Sequence, residues 1–248
     1  MVVPVVTLDT GSDPWVAAFP GLGTVRVFED GQVSVEAASG PGFDQRFAAL
    51  RLGWAEPLSW LRRGYHLTSA SVAAPDGRAL IVVGSHRQQV VVLKALTDHG
   101  WLILADAMTP IRELDAGFEV CGREAPVIVA KRLAEKWGLT GEPLRADSDA
   151  VSVDLPRGQG PGRVTGVLHV RSQRSTDRPT LEQLSGAQRL EVASGLIRRS
   201  PGNLDAPVAT QVMAQDMKVA ALPMARMHLA DKQSELDVGE VLTWWDTI

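Results

Sequence analysis

"DGRALIVVGSHRQQVVVLKALTDHGWLILADA", residues 76–107, decides how the rest of the chain is read. Asp76-Gly77 is a turn dipeptide. The run Arg78–Val83 is apolar and rich in β-branched residues, the composition of a buried strand. Gly84 opens a loop. Residues 88–98 place Val92, Leu93 and Leu96 on one face of a 3.6-residue period, which predicts a helix, and Gly100 stops it. "WLILA" (101–105) is a second continuous apolar run, and it ends on Asp106. Strand, helix and strand in about thirty residues predict an α/β unit with a crossover connection.

Working outward, "TVRVFEDGQVSVEA" (24–37) alternates apolar and polar residues about Asp30-Gly31 and predicts a hairpin. Residues 56–64 predict a short helix ended by Gly64, and 66–74 a strand. "EVCG" reads as a further short strand. "APVIVAKRLAEKWG" (125–138) predicts a helix stopped at Gly138. A Gly/Pro-rich loop (156–163) precedes a strand over 164–172. Residues 180–199 predict an amphipathic helix with Leu181, Leu184, Ala187, Leu190, Ala193 and Ile197 on one face. "SPGN" breaks the chain, and a last helical region follows over 207–232, kinked or broken at Pro223. Its methionines read as core filler. The expected organisation is one α/β domain over 1–200, a mixed sheet with flanking helices that includes the hairpin. A C-terminal helical extension over 201–248 follows. Trp244 and Trp245 expose too much apolar area to stay wet. They are expected to dock on the domain or on a second subunit, which would make a homo-oligomer.

The 248 residues are 45% hydrophobic and 22% charged, enough for a substantial core without disulfides or metals. The formal net charge of −4 gives no global pull toward nucleic acid or an anionic membrane, although Arg198–Arg199 is a local basic pair. Cys121 is the single cysteine, so no intrachain disulfide forms. That suits a reducing cytoplasm, with Cys121 read as a lone buried thiol in preference to a reactive nucleophile. No stretch approaches the ~20 apolar residues that cross a bilayer. The expectation is a soluble cytoplasmic protein.

The loop after Arg78–Val83 has the position of a phosphate-binding loop but not its chemistry. Such a loop, G-x-x-x-x-G-K-[ST], needs glycines so that backbone N–H groups converge, a lysine for the terminal phosphates and a hydroxyl for Mg²⁺. Counting from Gly84, the chain has Ser85, His86, Arg87 and Gln88 in the variable places. Gln89 then replaces the second glycine, Val90 the lysine and Val91 the hydroxyl. Valine carries neither charge nor metal-binding oxygen. Lys94 lies a turn farther along. The helix N-terminus, with Arg87 or His86, retains a modest attraction for an anion of about 0.3–1 kcal/mol.

The order of these parts, "LTSASV" (67–72), "DGRALIVVG" (76–84), a helix and "GWLILADA" (100–107), resembles the HPr serine kinase/phosphatase-like family. The later "GRVTGVLHVRSQRSTDRPTLEQLSGAQRLEVASGLIRR" is similar to that family's late strand, polar spacer and closing helix. The resemblance implies a nucleotide fold shared with phosphoenolpyruvate carboxykinase. It also implies two adjacent aspartates after the second strand, where this chain has Asp106 and Ala107. The family's histidine in its first strand corresponds to Thr68. Relatives of that family's fold occur among peptide-tailoring kinases of ribosomal natural-product pathways, so the resemblance implies a role in such a pathway.

Three functions follow as expectations. The first is a pseudokinase without ATP chemistry or cofactor, binding a peptide or a partner enzyme in natural-product biosynthesis. The second is a repurposed, ATP-independent enzyme doing acid/base chemistry on a peptide or small molecule in the old crevice. The third is a kinase with a non-standard nucleotide site. The candidate catalytic residues are Asp106 and His86. The candidate ligand-binding residues are Gly84, Ser85, Arg87, Gln88, Glu113 and Arg123. Glu113 and Asp115 lie near Asp106 in sequence, so the three acids suit either a cation, a basic peptide or a solvated loop. None of the five histidines has zinc-site spacing, and no G-x-S-x-G elbow appears.

Overall fold

The computed structural model describes residues 7–40, 42–123, 126–143, 149–173, 178–196, 206–230 and 235–248. Arg198–Arg199 and Ile197 lie outside them. The chain divides into two compact units. One is Met1–Leu67 with Arg198–Ala206, and the other is Thr68–Ile197 with Pro207–Ile248.

The first unit is an antiparallel meander of β1 (Thr7–Asp9), β2 (Trp15–Phe19), β3 (Gly23–Val27) and β4 (Val33–Ala37). Strands β3 and β4 form the hairpin expected from residues 24–37. Its turn uses Gly31 at φ +81°, and the Asp30 carboxylate accepts from the Gln32 N–H at 2.8 Å. Alternation sends Val25 and Val27 inward and leaves Arg26 outside, paired with Glu36 at 3.1 Å. Helix α1 (Phe43–Leu50), a π-helical turn (Arg51–Ala55) and α2 (Glu56–Arg62) contribute Leu50, Ala55 and Leu58 to the same core. Strand β5 (His66–Thr68) leads the chain from this unit into the next.

The second unit is a mixed, curled sheet with few helices. Strands β6 (Ala70–Ala73) and β7 (Arg78–Val83) are antiparallel neighbours. Helix α3 (His86–Thr97) then crosses to β8 (Leu102–Ala105), which pairs with β6 rather than β7. The crossover expected from residues 76–107 is present, with one strand inserted between its ends. Gly100 stops α3 at φ +83°. There the N–H of Trp101 bonds to Leu96 and that of Gly100 to Thr97, a Schellman closure that satisfies the last carbonyls. Val92, Leu93 and Leu96 are fully buried, as the periodicity predicts.

A hairpin of β9 (Thr109–Leu114) and β10 (Gly117–Val120) leads to β11 (Val127–Ala130), α4 (Lys131–Lys136), β12 (Gly141–Pro143) and β13 (Ala150–Val153). The last three strands make a small sheet of order β11-β13-β12. The helix expected over 125–138 is therefore shorter: Val127, Ile128 and Val129 are β-branched and pair with β13 instead of winding.

The long strand β14 (Gly162–Gln173) is the axis of the main sheet. It runs parallel to β7 on one side. On the other it meets β10 antiparallel in its first half and β16 (Met224–Ala230) parallel in its second. β15 (Thr180–Gln183) pairs with β16. Helices α5 (Gly186–Leu196), α6 (Ala206–Ala220) and α7 (Gly239–Trp245) complete the unit.

Two elements differ from the expected ones. The amphipathic helix over 180–199 begins at Gly186, after a strand. The last helical region ends before Pro223, whose carbonyl accepts from Val167 N–H at 3.0 Å as the chain enters β16. Each face of the sheet buries its own core. Leu80, Val82, Leu168, Val170, Met227 and Leu229 pack with α3 and α7 on one face. Ile81, Val164, Val167 and Met224 pack with Val192, Ala193, Leu196 and Val219 on the other.

Candidate functional site

Strands β7, β14 and β16 are parallel, so their C-terminal ends lie at one edge of the sheet, where open α/β sheets bind ligands. Strand β7 ends at Val83 and α3 begins at His86. Only Gly84 and Ser85 connect them. The Gln88 side-chain oxygen accepts from Ser85 N–H at 2.8 Å, and its amide donates to Ser172 Oγ on β14 at 2.9 Å. The helix start is thus tied to itself and to the sheet by a capping side chain. Val90 and Val91 are 1% and 2% exposed and face the core.

Gly84 serves close packing here. A Cβ on it would stand 2.9 Å from the Val170 carbonyl oxygen and 3.0 Å from Gln88 Oε1. Gly84→Ala is therefore expected to destabilise the fold by about 1–3 kcal/mol through overpacking. Urea denaturation measures this, and an unchanged midpoint would refute the close-packing account.

Ser85, Arg87 and Gln88 line a cleft of about 140 Å³ together with Val91, Ser172, Leu229 and Ala230. Pockets for drug-sized ligands run from about 300 Å³ upward. A larger cleft, about 420 Å³, lies elsewhere along Gly141, Glu142, Ser152, Asp154 and Arg157. Lys94 does not turn toward the loop; it pairs with Asp98 at 2.6 Å.

The two candidate catalytic residues come together. His86 Nε2 stands 3.5 Å from Asp106 Oδ2. Asp106 follows β8 and is 8% exposed. The same carboxylate oxygen accepts the Ile128 N–H at 3.1 Å, which fixes it from the β11 side. The His86 side chain is 47% exposed. The pair thus has a held acid partner and an accessible imidazole, the arrangement that orients a ring for proton transfer.

The other candidates separate. Arg123 is buried, and its guanidinium donates to the carbonyls of Ala107 and Met108 at 3.2 and 3.4 Å. It holds the turn after Asp106, where Met108 has φ 49°, rather than facing outward for an anion. Glu113 is carried off along β9, about 13 Å beyond Thr109 at strand rise, and pairs with Lys218 of α6. Asp115 lies in the β9–β10 turn. The three acids do not converge, and among the described residues no group of His, Cys, Asp and Glu is placed to hold a metal. Thr68, fully buried, donates to the Leu196 carbonyl at 3.2 Å and so helps close the end of α5.

Sequence reasoning missed a second polar cluster at the same sheet edge: His169, Arg171, Glu182, Glu191, Arg226 and His228. Its members come from four elements, and no local spacing announces them. Burial and the charges of Arg171 and Arg226 lower the His169 pKa to about 4, which keeps the ring neutral at physiological pH.

The fold and site define a mixed α/β protein with a closed strand-to-helix junction and a His–Asp pair beside the C-terminal end of β7. Comparison with protein-family models and with curated proteins finds no match. Among the described residues no helix is long and apolar enough to cross a membrane.

Proposed function

We propose that this chain is an HPr kinase-like pseudokinase: a nucleotide-fold scaffold without ATP-dependent phosphotransfer, binding a peptide or a partner enzyme in ribosomal-peptide or other natural-product biosynthesis. The observation that carries the reading is the junction at Gly84-Ser85. A phosphate cradle needs a wide loop with several convergent N–H groups. Here two residues span the junction, Gln88 occupies one of the N–H groups, and the side chains in the lysine and hydroxyl places belong to the core.

Thermal melting with Mg²⁺ and ATP tests it. A ligand at 100 times its dissociation constant adds about 2.7 kcal/mol. No shift is expected. A saturable shift would sink the reading and favour a kinase with a non-standard site. Affinity capture with the intact protein in its native extract is expected to recover a precursor peptide or a tailoring enzyme.

The His86–Asp106 pair favours a second reading, an ATP-independent acid/base enzyme. Under it, turnover of a captured peptide without ATP is expected to fall on the order of 10²–10⁴-fold in His86→Ala. Asp106→Asn, which keeps an oxygen for Ile128, is expected to lower it as well. Both variants should melt near the parent temperature. Turnover unaffected by either change would exclude the pair from chemistry.

A further inference from the structure

The register of β14 and β16 sets His169 beside Arg226 and Arg171 beside His228. Strand β15 adds Glu182 opposite Arg226, and α5 adds Glu191. Arg226 is nine-tenths buried at its side chain. Its Nε points at His169 Nδ1, 3.3 Å away, and its Nη1 donates to Glu182 Oε1 at 3.2 Å. Its buried Nη2 finds no hydrogen-bond acceptor among the described residues; Glu191 Oε2 stands 3.6 Å off. Arg171 Nε points at the other ring nitrogen, His169 Nε2, at 3.4 Å, while its Nη2 donates to Glu191 Oε1 at 2.8 Å. His228 Nε2 lies 3.6 Å from Glu182 Oε1.

The cluster holds more hydrogen-bond donors than acceptors. A neutral imidazole offers one lone pair and one N–H. Two guanidinium N–H groups face the two nitrogens of a single ring, so only one of them has an acceptor there. Arg226 Nη2 is a further donor left over. Donors exceed acceptors around a buried cation, and that imbalance is costly unless something supplies more oxygens. The Glu191 carboxylate spans the two guanidiniums with one oxygen toward each, and its side chain is 58% exposed. It is the one acidic group in the cluster that comes from a helix and faces solvent across both arginines.

We propose that this cluster is a seat for a phosphoryl group, with Arg171 and Arg226 as its donors and the Glu191 carboxylate as an internal stand-in that the ligand displaces. The choice of phosphate over carboxylate follows from the competition. A tethered carboxylate acts at an effective concentration on the order of millimolar, so another monoanion gains little by replacing it. A dianion with three or more acceptor oxygens can bridge both guanidiniums and accept from the arginine N–H groups that the ring and Glu191 leave unmatched, and arginine forks match that geometry. The seat lies on the parallel pair β14 and β16, level with the C-terminal end of β7, where His169 pairs with Val83. It does not depend on the reading of the Gly84 junction.

Inorganic phosphate is the probe, at slightly alkaline pH, with chloride holding ionic strength constant. Melting temperature and equilibrium dialysis are the readouts on the intact protein. The parent chain is expected to bind phosphate weakly and saturably. Glu191→Gln is expected to tighten binding on the order of tenfold and to admit acetate, which the parent does not bind. Arg171→Gln, at a half-exposed position, is expected to abolish the phosphate effect in both backgrounds. The absence of saturable binding in Glu191→Gln would overturn the proposal. So would binding that Arg171→Gln leaves intact, because the ion would then sit elsewhere. Arg226 is not the test residue, since removing a buried cation threatens the fold itself.

Discussion

Introducing the lysine and hydroxyl of a phosphate loop, as Val90→Lys with Val91→Thr, is expected to cost the protein much of its stability and to gain it no nucleotide binding. Helix α3 starts at His86, so position 90 lies about 6 Å inside the helix at 1.5 Å per residue. Its side chain is 1% exposed and belongs to the core of Leu80, Val82, Leu93, Leu168 and Val170. A lysine there must bury its ammonium without a partner or give up its proton. Uncompensated buried charge costs about 3–5 kcal/mol. The threonine adds a hydroxyl whose nearest relief is a back-bond into its own helix, at about 1–2 kcal/mol. Against a total stability of about 5–15 kcal/mol, the double variant should unfold at far lower urea. Its melting should not respond to Mg²⁺ and ATP. A double variant with the parent's urea midpoint, or one stabilised by the nucleotide, would show that position 90 faces the loop.

The same stretch shows what the sequence could and could not reveal. Helical period and a stop glycine placed α3 within two residues at its start, because Val92, Leu93 and Leu96 have no other place to go. The neighbourhood of His86 and Asp106 was legible for a related reason: a residue at the start of the crossover helix and one at the end of the next strand share a sheet edge. The width of the junction was not legible. A motif count from Gly84 assumes a loop, but Gln88 caps Ser85 and lets the helix begin early. Strand β16 was hidden by composition. Met224, Ala225, Met227 and Leu229 are good helix formers, yet Met224 faces one core and Ala225, Met227 and Leu229 the other. Burial on both faces erases the alternation that marks a half-exposed strand. Strand β15 was masked by Leu181 and Leu184, whose three-residue spacing imitates a helix. The Arg226 cluster joins residues as far apart in sequence as His169 and Arg226, and only the parallel register of β14 and β16 brings them together.

Trp245→Ala should be about as damaging as the core lysine, although Trp245 lies three residues from the end of the sequence. Helix α7 seats both tryptophans in the core of the second unit, where Trp244 and Trp245 are 5% and 3% exposed. The Trp245 ring meets Trp101 edge-on at 4.9 Å between centroids, and the Arg78 guanidinium lies 4.6 Å over its face. Trp101 follows the Gly100 closure of α3, and Arg78 begins β7. One side chain therefore ties the terminal helix to both ends of the strand–helix element on which the fold turns. Truncating a buried Trp costs about 3–5 kcal/mol, and the lost ring contacts with Trp101 and Arg78 fall within that figure. The expected result is a large drop in urea midpoint, with Trp245→Phe recovering part of it because a ring still reaches Trp101. Docking on the chain's own core also predicts that the parent midpoint is independent of protein concentration. A midpoint that rises with concentration, together with an unaffected Trp245→Ala variant, would mean that a second subunit and not this core holds the terminal helix.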